Sequence, residues 1–420
     1  MKIVLLSMNF APELTGIGKY SGEMADALVE RGHEVTVVCA PPYYPRWALQ
    51  EGYSKHTYRV ERPKTGLTVI RCPIWLPQRL SGLKRLLHLA SFATSSFPVL
   101  MRLVWWGPDV VFVVAPALFS APAGWLTARL SGARAWLHIQ DLEIDAAFEL
   151  GMLKGQLLRS LVQAAERALM RSFDVVSTIS RRMLRQLAAK GVPLDRTELM
   201  PNWIDLRNVR PIDPSQQLRE QLDIGSEQFV CLFSGTINRK QGLPMVIDAA
   251  RLLQDRPEIV LVICGNGEFR SALEASAEGL GNVRFLDLRP AEELNALLNM
   301  ADMHLLPQLR GAADLVMPSK LTGMLASGRP IIAAAVPGTE IASVVAGRGL
   351  VTEPESAEAF AEAISSLVAD APRCAALGAA ARAYAERRLN SEVLFDEFES
   401  RLIDLCEVPV GLAVSSNVSR

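Results

Sequence analysis

The sequence predicts an α/β protein with two domains, each built on a doubly wound parallel sheet. Its 420 residues exceed one typical domain, and 50% of them are apolar, so two large cores can be buried. Short apolar runs alternate with amphipathic helical stretches, the pattern of successive strand–helix–strand units. The alternation stops in a polar, proline-containing segment after residue 200 and resumes at residue 229. We expect domains at residues 1–203 and 204–390, with a C-terminal helix and frayed tail over 391–420 packing back on the first domain.

The first strand–loop–helix unit contains a candidate ligand loop. The pattern predicts a strand over residues 3–8, a loop over 9–18 and a helix over 19–30. Gly16 and Gly18 lie where the helix begins, and glycine there lets backbone approach a ligand. The third glycine of GxGxxG is lacking, so a tight turn without a ligand is the alternative. The length of the loop favours a ligand-facing role.

Polar side chains follow a later strand of the same domain. Further strands are expected near residues 34–40, 68–71, 109–115, 135–139, 175–179 and 198–200. His138 and Asp141 lie at the carboxyl end of strand 135–139, where open α/β sheets bind ligands. They are candidate acid/base or hydrogen-bonding groups, and a histidine with its hydrogen bonds satisfied inside the protein is the alternative.

Residues 83–106 form an apolar stretch that is interrupted by Pro98 and contains four basic side chains. Its uncharged part is too short to span a bilayer, and the flanking cations and Trp105-Trp106 suit the headgroup region of a membrane. A helix pair buried on the sheet is the alternative.

Residues 1–200 contain 24 Lys and Arg against 16 Asp and Glu, whereas the remainder contains 20 against 29. This asymmetry suggests that the first half meets an anionic partner, either nucleic acid or a membrane surface.

The second domain contains two cationic loops. Gly235 to Gly242 follows a strand, is bounded by glycine and contains Arg239 and Lys240, which suit a diphosphate at a helix entrance. Two exposed cations in an ordinary loop are the alternative. Residues 301–335 then predict a strand, a polar loop with Arg310 and Asp314, and a helix opened by Pro318 with Lys320 in its first turn. Phosphate favours such a place, although an ordinary solvated α/β loop would give the same pattern.

The six cysteines are scattered and show no metal-ligand spacing, so buried free thiols in a reducing compartment are expected.

Several motifs occur together in the order of one known family. They are MNFAPELTGIGKYSGEMADALVERGHEVTVV at residues 8–38, MPNWID at 200–205, SGTINRKQGL at 234–243 and VICGNGEFRSALE at 262–274. Together they resemble the retaining GT4 family of GT-B glycosyltransferases. APPYYPRW, LKRLLHLASFATSSF, LHIQDLEIDA and RGAADLVMPSKL are closest to the transferases of colanic acid biosynthesis and their fucosyl or amino-sugar relatives.

The resemblance implies a GT-B fold, in which two Rossmann-like domains face a central cleft. It implies transfer of fucose or an amino sugar from a nucleotide diphosphate, GDP-fucose or a UDP-sugar, to a polyprenyl-diphosphate-linked oligosaccharide of exopolysaccharide assembly. It implies no metal or other cofactor and no nucleic acid. The expected location is the cytoplasmic face of a bacterial plasma membrane, against its anionic inner leaflet.

By the same resemblance, Arg239 and Lys240 hold the diphosphate, and His138 and Asp141 lie beside the transferring sugar. The resemblance also implies a set of substrate-binding residues, which are Gly16, Gly18, Gly265, Asn266, Gly267, Glu268, Arg310, Asp314, Ser319 and Lys320. One departure concerns two glutamates that the family usually has eight residues apart. Leu315 and Gly323 stand in their places, and only Asp314 adjoins the first.

Three other functions compete with glycosyl transfer. A nucleotide-sugar 2-epimerase on the same architecture would need carboxylates near the anomeric carbon and no lipid acceptor. A dinucleotide oxidoreductase is disfavoured because neither domain contains a full GxGxxG. A non-catalytic scaffold in a polysaccharide assembly complex would explain Leu315 and Gly323.

Overall fold

The computed structural model describes residues 1–77, 82–115, 119–141, 156–312 and 318–407. The chain forms two compact units, each with its own sheet. The first contains Met1–Pro201 together with the chain from Val393 onward, and the second is Asn202–Glu392. The expected tail after residue 407 lies outside the described residues.

The sheet of the first unit has eight described strands in the order β3-β4-β2-β1-β5-β6-β7-β8, and all neighbours except β3 and β4 pair in parallel. Hydrophobic patterning did not predict β3, because its side chains are mostly exposed and polar. The strands are β1 (Lys2–Ser7), β2 (Glu34–Cys39), β3 (Arg59–Lys64), β4 (Leu67–Arg71), β5 (Val110–Ala115), β6 (Arg134–Ile139), β7 (Val175–Thr178) and β8 (Thr197–Leu199).

Helices connect these strands, and a last helix returns to them. The C-terminal helix places Phe398 against Phe112 and Trp136, with ring centroids 5.3 and 5.2 Å apart. These aromatic contacts fix the returning helix on the first sheet. The helices of this unit are α1 (Gly16–Glu30), α2 (Gly82–Leu103), α3 (Ala121–Ser131), α4 (Gln156–Ser172), α5 (Arg181–Ala189) and α14 (Ser391–Glu407), numbered with those of the second unit below.

Helix α2 corrects the expectation that Pro98 interrupts the apolar stretch, because the helix runs through Pro98 without ending. Pro98 and Thr94, whose carbonyl loses its helical partner, both lie on the exposed side, so water can satisfy that carbonyl. The buried positions recur every three or four residues, so one face of the helix packs inside the unit. These positions are His88, Leu89, Phe92, Ser96, Leu100 and Leu103.

The second sheet has six described strands in the order β11-β10-β9-β12-β13-β14, all parallel. Its central strand β9 buries both faces: Cys231 and Phe233 face one hydrophobic cluster, and Val230 and Leu232 face another. The strands are β9 (Phe229–Ser234), β10 (Ile259–Cys264), β11 (Val283–Leu286), β12 (Met303–Leu306), β13 (Ile331–Ala334) and β14 (Gly349–Thr352).

The helices of the second unit pack on both faces of this sheet. Helix α10 begins at Lys320, two residues after Pro318, and Gly328 follows its end in the left-handed conformation (φ 71°), as the sequence predicted. The helices are α6 (Gln216–Glu220), α7 (Leu243–Leu252), α8 (Arg270–Ser276), α9 (Leu294–Met300), α10 (Lys320–Ala326), α11 (Glu340–Val345), α12 (Ala357–Val368) and α13 (Ala371–Arg388).

The strand order reverses once in each sheet, so both units are Rossmann-like. In the first unit, β2 lies on one side of β1 and β5 on the other; in the second, β10 and β12 flank β9 in the same way. Ligands of open α/β sheets bind at the carboxyl ends of the strands beside such a reversal. We therefore expect a ligand site at the loops after β9 and β12.

Candidate functional site

The loops that follow β9 and β10 run side by side beyond the strands. The N–H of Gly235 donates to the carbonyl of Cys264 at 3.0 Å, and the N–H of Ile237 donates to that of Asn266 at 3.0 Å. An added Cβ at Gly265 would lie 1.9 Å from the oxygen of Gly235, and one at Gly267 would lie 2.1 Å from that of Ile237. Both glycines are therefore required by the contact of loop with loop.

Arg270 holds the second of these loops in place. Its guanidinium donates to the carbonyl of Gly265 and the side-chain oxygen of Asn266, both at 2.7 Å. It also forms ion pairs with Glu274 at 2.7 Å and Asp287 at 2.6 Å. Sequence analysis did not identify this residue, although it lies within the quoted motif. The side chains of Asn266 and Glu268 are exposed on the loop that Arg270 fixes.

The loop after β9 also contacts the loop after β12. Gly242 adopts φ 69°, and an added Cβ there would lie 3.4 Å from the backbone of Gln308. Gly242 precedes the ten-residue helix α7, whose second residue is proline. The amino-terminal end of this helix, with its partial positive charge, thus lies among the loops at the reversal of the strand order.

Lys320 brings an amine to the carboxyl end of β9. Its Nζ donates to the side-chain oxygen of Gln241 at 2.8 Å and lies 4.2 Å from the centre of the Phe233 ring. The bare Cα of Gly235 faces the same amine, since a Cβ built there would lie 3.8 Å from Nζ. Lys320 is half-buried, and burial lowers its pKa to about 7.

The other predicted cations differ in their surroundings. Arg239 is exposed in the short helix Arg239–Gln241, with its guanidinium carbon 5.1 Å from the centre of the Phe269 ring. Lys240 belongs to the same turn, and its side chain is outside the described part of the structure. Arg310 forms an exposed ion pair with Glu353 at 3.1 Å, so its predicted role as a phosphate ligand requires breaking that pair.

The remaining predicted residues near β12 are only partly described. Asp314 and Leu315 lie outside the described residues. Ser319 is exposed immediately before α10. Gly323 is buried within α10, and an added Cβ would lie 3.2 Å from Leu298 of α9. The place where the family usually has a glutamate is thus a helix–helix contact.

In the first unit, the loop after β1 is fixed by a buried carboxylate. The N–H groups of Tyr43 and Tyr44 both donate to Glu13 Oε1 at 2.9 Å, and the Asn9 amide donates to Oε2 at 2.9 Å. Burial raises the pKa of Glu13, although these donors and the charge of Arg71 favour its ionised form. Sequence analysis did not identify Glu13 as part of a site.

Glu13 also changes the interpretation of the two predicted glycines. An added Cβ at Gly18 would lie 2.6 Å from Glu13 Cβ, and Gly18 is buried. Gly18 therefore makes room for a side chain of its own unit, and its role beside a ligand stays a prediction. Gly16 begins α1 at φ 60° and is partly exposed beside the Tyr44 ring.

His138 lies in a closed network inside the first unit. Its Nδ1 lies 2.8 Å from Ser177 Oγ, which also accepts from the Trp136 indole at 2.8 Å, and Gln140 Nε2 lies 2.9 Å from the other ring nitrogen. The side chain is 1% exposed, and burial lowers its pKa to about 3. His138 is thus a neutral ring with both nitrogens occupied inside the unit, and its role beside the transferring sugar stays a prediction.

Asp141 remains the accessible member of the predicted pair. It follows the strand end and is half-buried, and burial raises its pKa to about 6, against the opposing charge of Arg85. A carboxyl group that titrates near neutral pH can accept or donate a proton in catalysis. Burial raises the pKa of Tyr44, and the negative charge of Asp141 raises it further.

Two family descriptions match the chain in succession. Residues 15–203 match the Glycosyl transferase 4-like domain, and residues 214–384 match the Glycosyl transferases group 1. The Escherichia coli (strain K12) protein named as the colanic acid biosynthesis glycosyl transferase WcaI is 43% identical over 408 residues, 95% of this chain and 98% of that protein.

A second relative, from Mycolicibacterium smegmatis (strain ATCC 700084 / mc(2)155), is named GDP-mannose-dependent alpha-(1-6)-phosphatidylinositol monomannoside mannosyltransferase. It is 30% identical over 395 residues, 91% of this chain and 93% of that protein. Among solved structures, sucrose-phosphate synthase from Thermosynechococcus elongatus has a TM-score of 0.74 at 17% identity, covering 96% of this chain and 98% of that one. Anabaena HepE in complex with UDP-glucose has a TM-score of 0.69 at 17% identity, covering 96% and 100%.

Two Rossmann-like units of this topology, each matched by a glycosyltransferase domain, define a glycosyltransferase of the GT-B fold class. The extent of the match to WcaI places the whole described chain in one family. The chain belongs to the GT4 family of glycosyltransferases, and it is an enzyme of sugar transfer.

Proposed function

We propose that this enzyme transfers a sugar, with retained anomeric configuration, from a nucleotide diphosphate to a lipid-linked oligosaccharide in exopolysaccharide assembly. The observation that carries the donor part is the environment of Lys320. Its amine lies beside the bare Cα of Gly235 and the amide of Gln241, at the carboxyl end of β9 and close to the start of α7. A diphosphate placed there meets a lysine, the cations of the Arg239 turn and the positive end of a helix.

The relatives support the classes of donor and acceptor. WcaI is named for colanic acid biosynthesis, and the mycobacterial relative is named as GDP-mannose-dependent and as acting on a phosphatidylinositol mannoside. A GDP-sugar donor and a membrane-borne acceptor therefore fit this chain, and GDP-fucose is the donor that we propose. A UDP-sugar is the alternative, since HepE was solved with UDP-glucose.

The proposed reaction needs no protein nucleophile. The bond between the anomeric carbon and the diphosphate oxygen breaks, and the acceptor hydroxyl forms the new glycosidic bond on the same face. The hydroxyl proton passes to the departing diphosphate. The protein positions the two substrates and stabilises the charge of the leaving group through Arg239, Lys240 and Lys320. We expect these cations to take the place of a metal ion.

The proposed acceptor places the enzyme at the cytoplasmic face of the membrane, and α2 supports that location. On α2, Leu87 and Phe97 are 51 and 44% exposed, and Trp105 in the turn after the helix is 85% exposed. The cations Lys84, Arg85 and Arg102 are exposed too. By length and composition alone, Lys84–Trp106 could cross a bilayer. One-third of its apolar part is nevertheless buried within the protein. An amphipathic helix lying in the headgroup region fits both observations.

Transfer is tested with the purified full chain, GDP-fucose or UDP-sugars, and a lipid-linked oligosaccharide acceptor. We expect a product whose new linkage keeps the anomeric configuration of the donor. The double variant Arg239→Ala/Lys240→Ala should lose about 100-fold or more in turnover, because each lost donor to a developing anion commonly costs that much. Arg251→Ala, which removes an exposed cation of α7, is the matched control. Turnover of the double variant within a few-fold of wild type would remove the two residues from the reaction.

Incubation with donor alone distinguishes transfer from epimerisation, since only an epimerase converts the donor without an acceptor.

Membrane binding is tested by co-sedimentation with vesicles of phosphatidylethanolamine and phosphatidylglycerol at low salt. Phe97→Ala/Trp105→Ala should weaken binding, whereas Leu252→Ala, an exposed leucine of the second unit, should not. Equal binding by both variants contradicts docking through α2.

A further inference from the structure

Lys320 is a half-buried ammonium group with neutral neighbours. Its contacts are the amide oxygen of Gln241 and the face of the Phe233 ring, and the backbone of Gly235 lies against its side chain. Among the described residues, no carboxylate lies within ion-pair distance of its Nζ. The helix that it begins, Lys320–Ala326, contains no other charged residue.

The other charged groups on the surrounding elements are engaged elsewhere or face outward. Arg239 stacks on Phe269, Arg310 pairs with Glu353, and Glu268 is exposed after β10. Lys240 shares the Arg239 turn, and Asp314 lies outside the described residues. Burial is the cause that lowers the pKa of Lys320 to about 7, so in the free protein the amine is about half protonated near neutral pH.

A lysine of the first unit shows the usual way in which a protein accommodates a buried ammonium group. Lys190 is also largely buried, and it lies in ion-pair contact with Glu166, whose side chain is fully buried. There the protein supplies the counter-charge itself. At Lys320 the described neighbours of the amine are neutral groups, and a ligand can supply the negative charge.

Resting on the proposed function, we propose that binding of the nucleotide diphosphate is coupled to uptake of a proton by Lys320. The free site holds the amine partly as –NH2. The diphosphate brings negative charge to it, and one proton from solvent converts the remaining –NH2 to –NH3⁺ without any other bond forming or breaking. The proton returns to solvent when the nucleoside diphosphate leaves. Donor affinity should therefore fall as pH rises above neutrality.

The measurement is isothermal titration of the full chain with GDP and with UDP at pH 8, in HEPES and in Tris. These buffers differ in ionisation enthalpy, so the difference in observed heat gives the number of protons taken up. For wild type we expect uptake of more than half a proton per nucleotide, and affinity falling by up to about tenfold per pH unit above pH 7.5. Lys320→Arg keeps its charge at all these pH values and should take up no proton at this position.

Gln241→Glu gives a second readout that leaves Lys320 in place. A carboxylate at 2.8 Å from Nζ should keep the amine protonated in the free protein, so the uptake should disappear there too. Lys55→Arg, at an exposed lysine of the first unit, is the matched control and should behave as wild type. Equal proton uptake in wild type, Lys320→Arg and Gln241→Glu overturns the coupling but leaves the donor site intact. Failure of wild type to bind either nucleotide at any pH overturns the proposed function, and the coupling with it.

Discussion

Replacement of Glu13 tests whether one buried carboxylate fixes the loop after β1. In Glu13→Ala the N–H groups of Tyr43 and Tyr44 lose their acceptor, and Asn9 loses its partner. A buried donor left without an acceptor costs about 1–3 kcal/mol. Tyr44 is 41% exposed, so water can replace part of the hydrogen bond that its N–H loses. Removal of a buried acid also offsets part of the destabilisation. We expect the free energy of unfolding of the first unit to fall by about 2–4 kcal/mol.

Glu13→Gln is the matched control because its amide oxygen can still accept from both N–H groups. The free energy of unfolding of this variant should be lower than that of wild type by about 1 kcal/mol or less at neutral pH. The pH dependence gives a second test. The pKa of Glu13 is raised on folding, so its contribution to stability is full below the unfolded pKa and declines as pH rises through the folded value. Glutamine does not titrate, so the stability of Glu13→Gln relative to wild type should improve as pH rises from about 4 to 7.

Urea unfolding followed by tryptophan fluorescence is the suitable assay, because six of the seven tryptophans belong to the first unit. Both variants are compared with wild type at several pH values. An alanine variant within about 0.5 kcal/mol of wild type, or a glutamine variant as unstable as the alanine one, refutes the role given to the carboxylate.

Three further predictions concern other parts of the fold. Gly267→Ala should lower the free energy of unfolding of the second unit by about 3 kcal/mol or more, because its Cβ would lie 2.1 Å from a backbone oxygen, whereas Gly281→Ala, with open space around it, should stay within about 0.5 kcal/mol in a urea titration followed by far-UV circular dichroism. The ring of His138 should show no titration between pH 5 and 9 in its NMR signals, because its pKa lies near 3; a shift in that range contradicts its burial. Lys190→Met should destabilise the first unit by about 3–5 kcal/mol by removing an ion-pair partner of the fully buried Glu166 carboxylate, and Lys190→Met/Glu166→Leu should recover most of that loss in thermal unfolding; no recovery contradicts the pairing.

The alternation of strands and helices was predictable from the sequence because the central strands of both sheets are buried on both faces. Strand β9 and its neighbours read as uninterrupted hydrophobic runs, and such runs mark buried parallel strands. Strand β3 was not predictable in this way. Its sequence, RVERPK, is polar and exposed, and backbone pairing with β4 holds it at the sheet edge.

The partners of the site residues could not be predicted, because they lie far away in the sequence. Lys320 meets Gln241 across 79 positions, and Arg310 meets Glu353 across 43. Single-sequence patterns report on neighbours within a turn or a strand, so they identified these cations but not what surrounds them. Gly18 shows the same limit: its position at a helix start was identified, yet its purpose depends on the side chain of Glu13.

The contact at Gly323 gives a physical reason for the departure from the family pattern. A Cβ at this position would already lie 3.2 Å from the Leu298 side chain of α9, so a larger side chain there requires Leu298 to shift. Lys320 stands one helical turn earlier on α10, with its amine beside β9. The helix therefore presents an amine near the carboxyl ends of the strands, and the position of the family's second carboxylate holds a glycine packed against α9. We propose that this site binds the phosphates of a nucleotide and that groups other than residue 323 recognise the ribose.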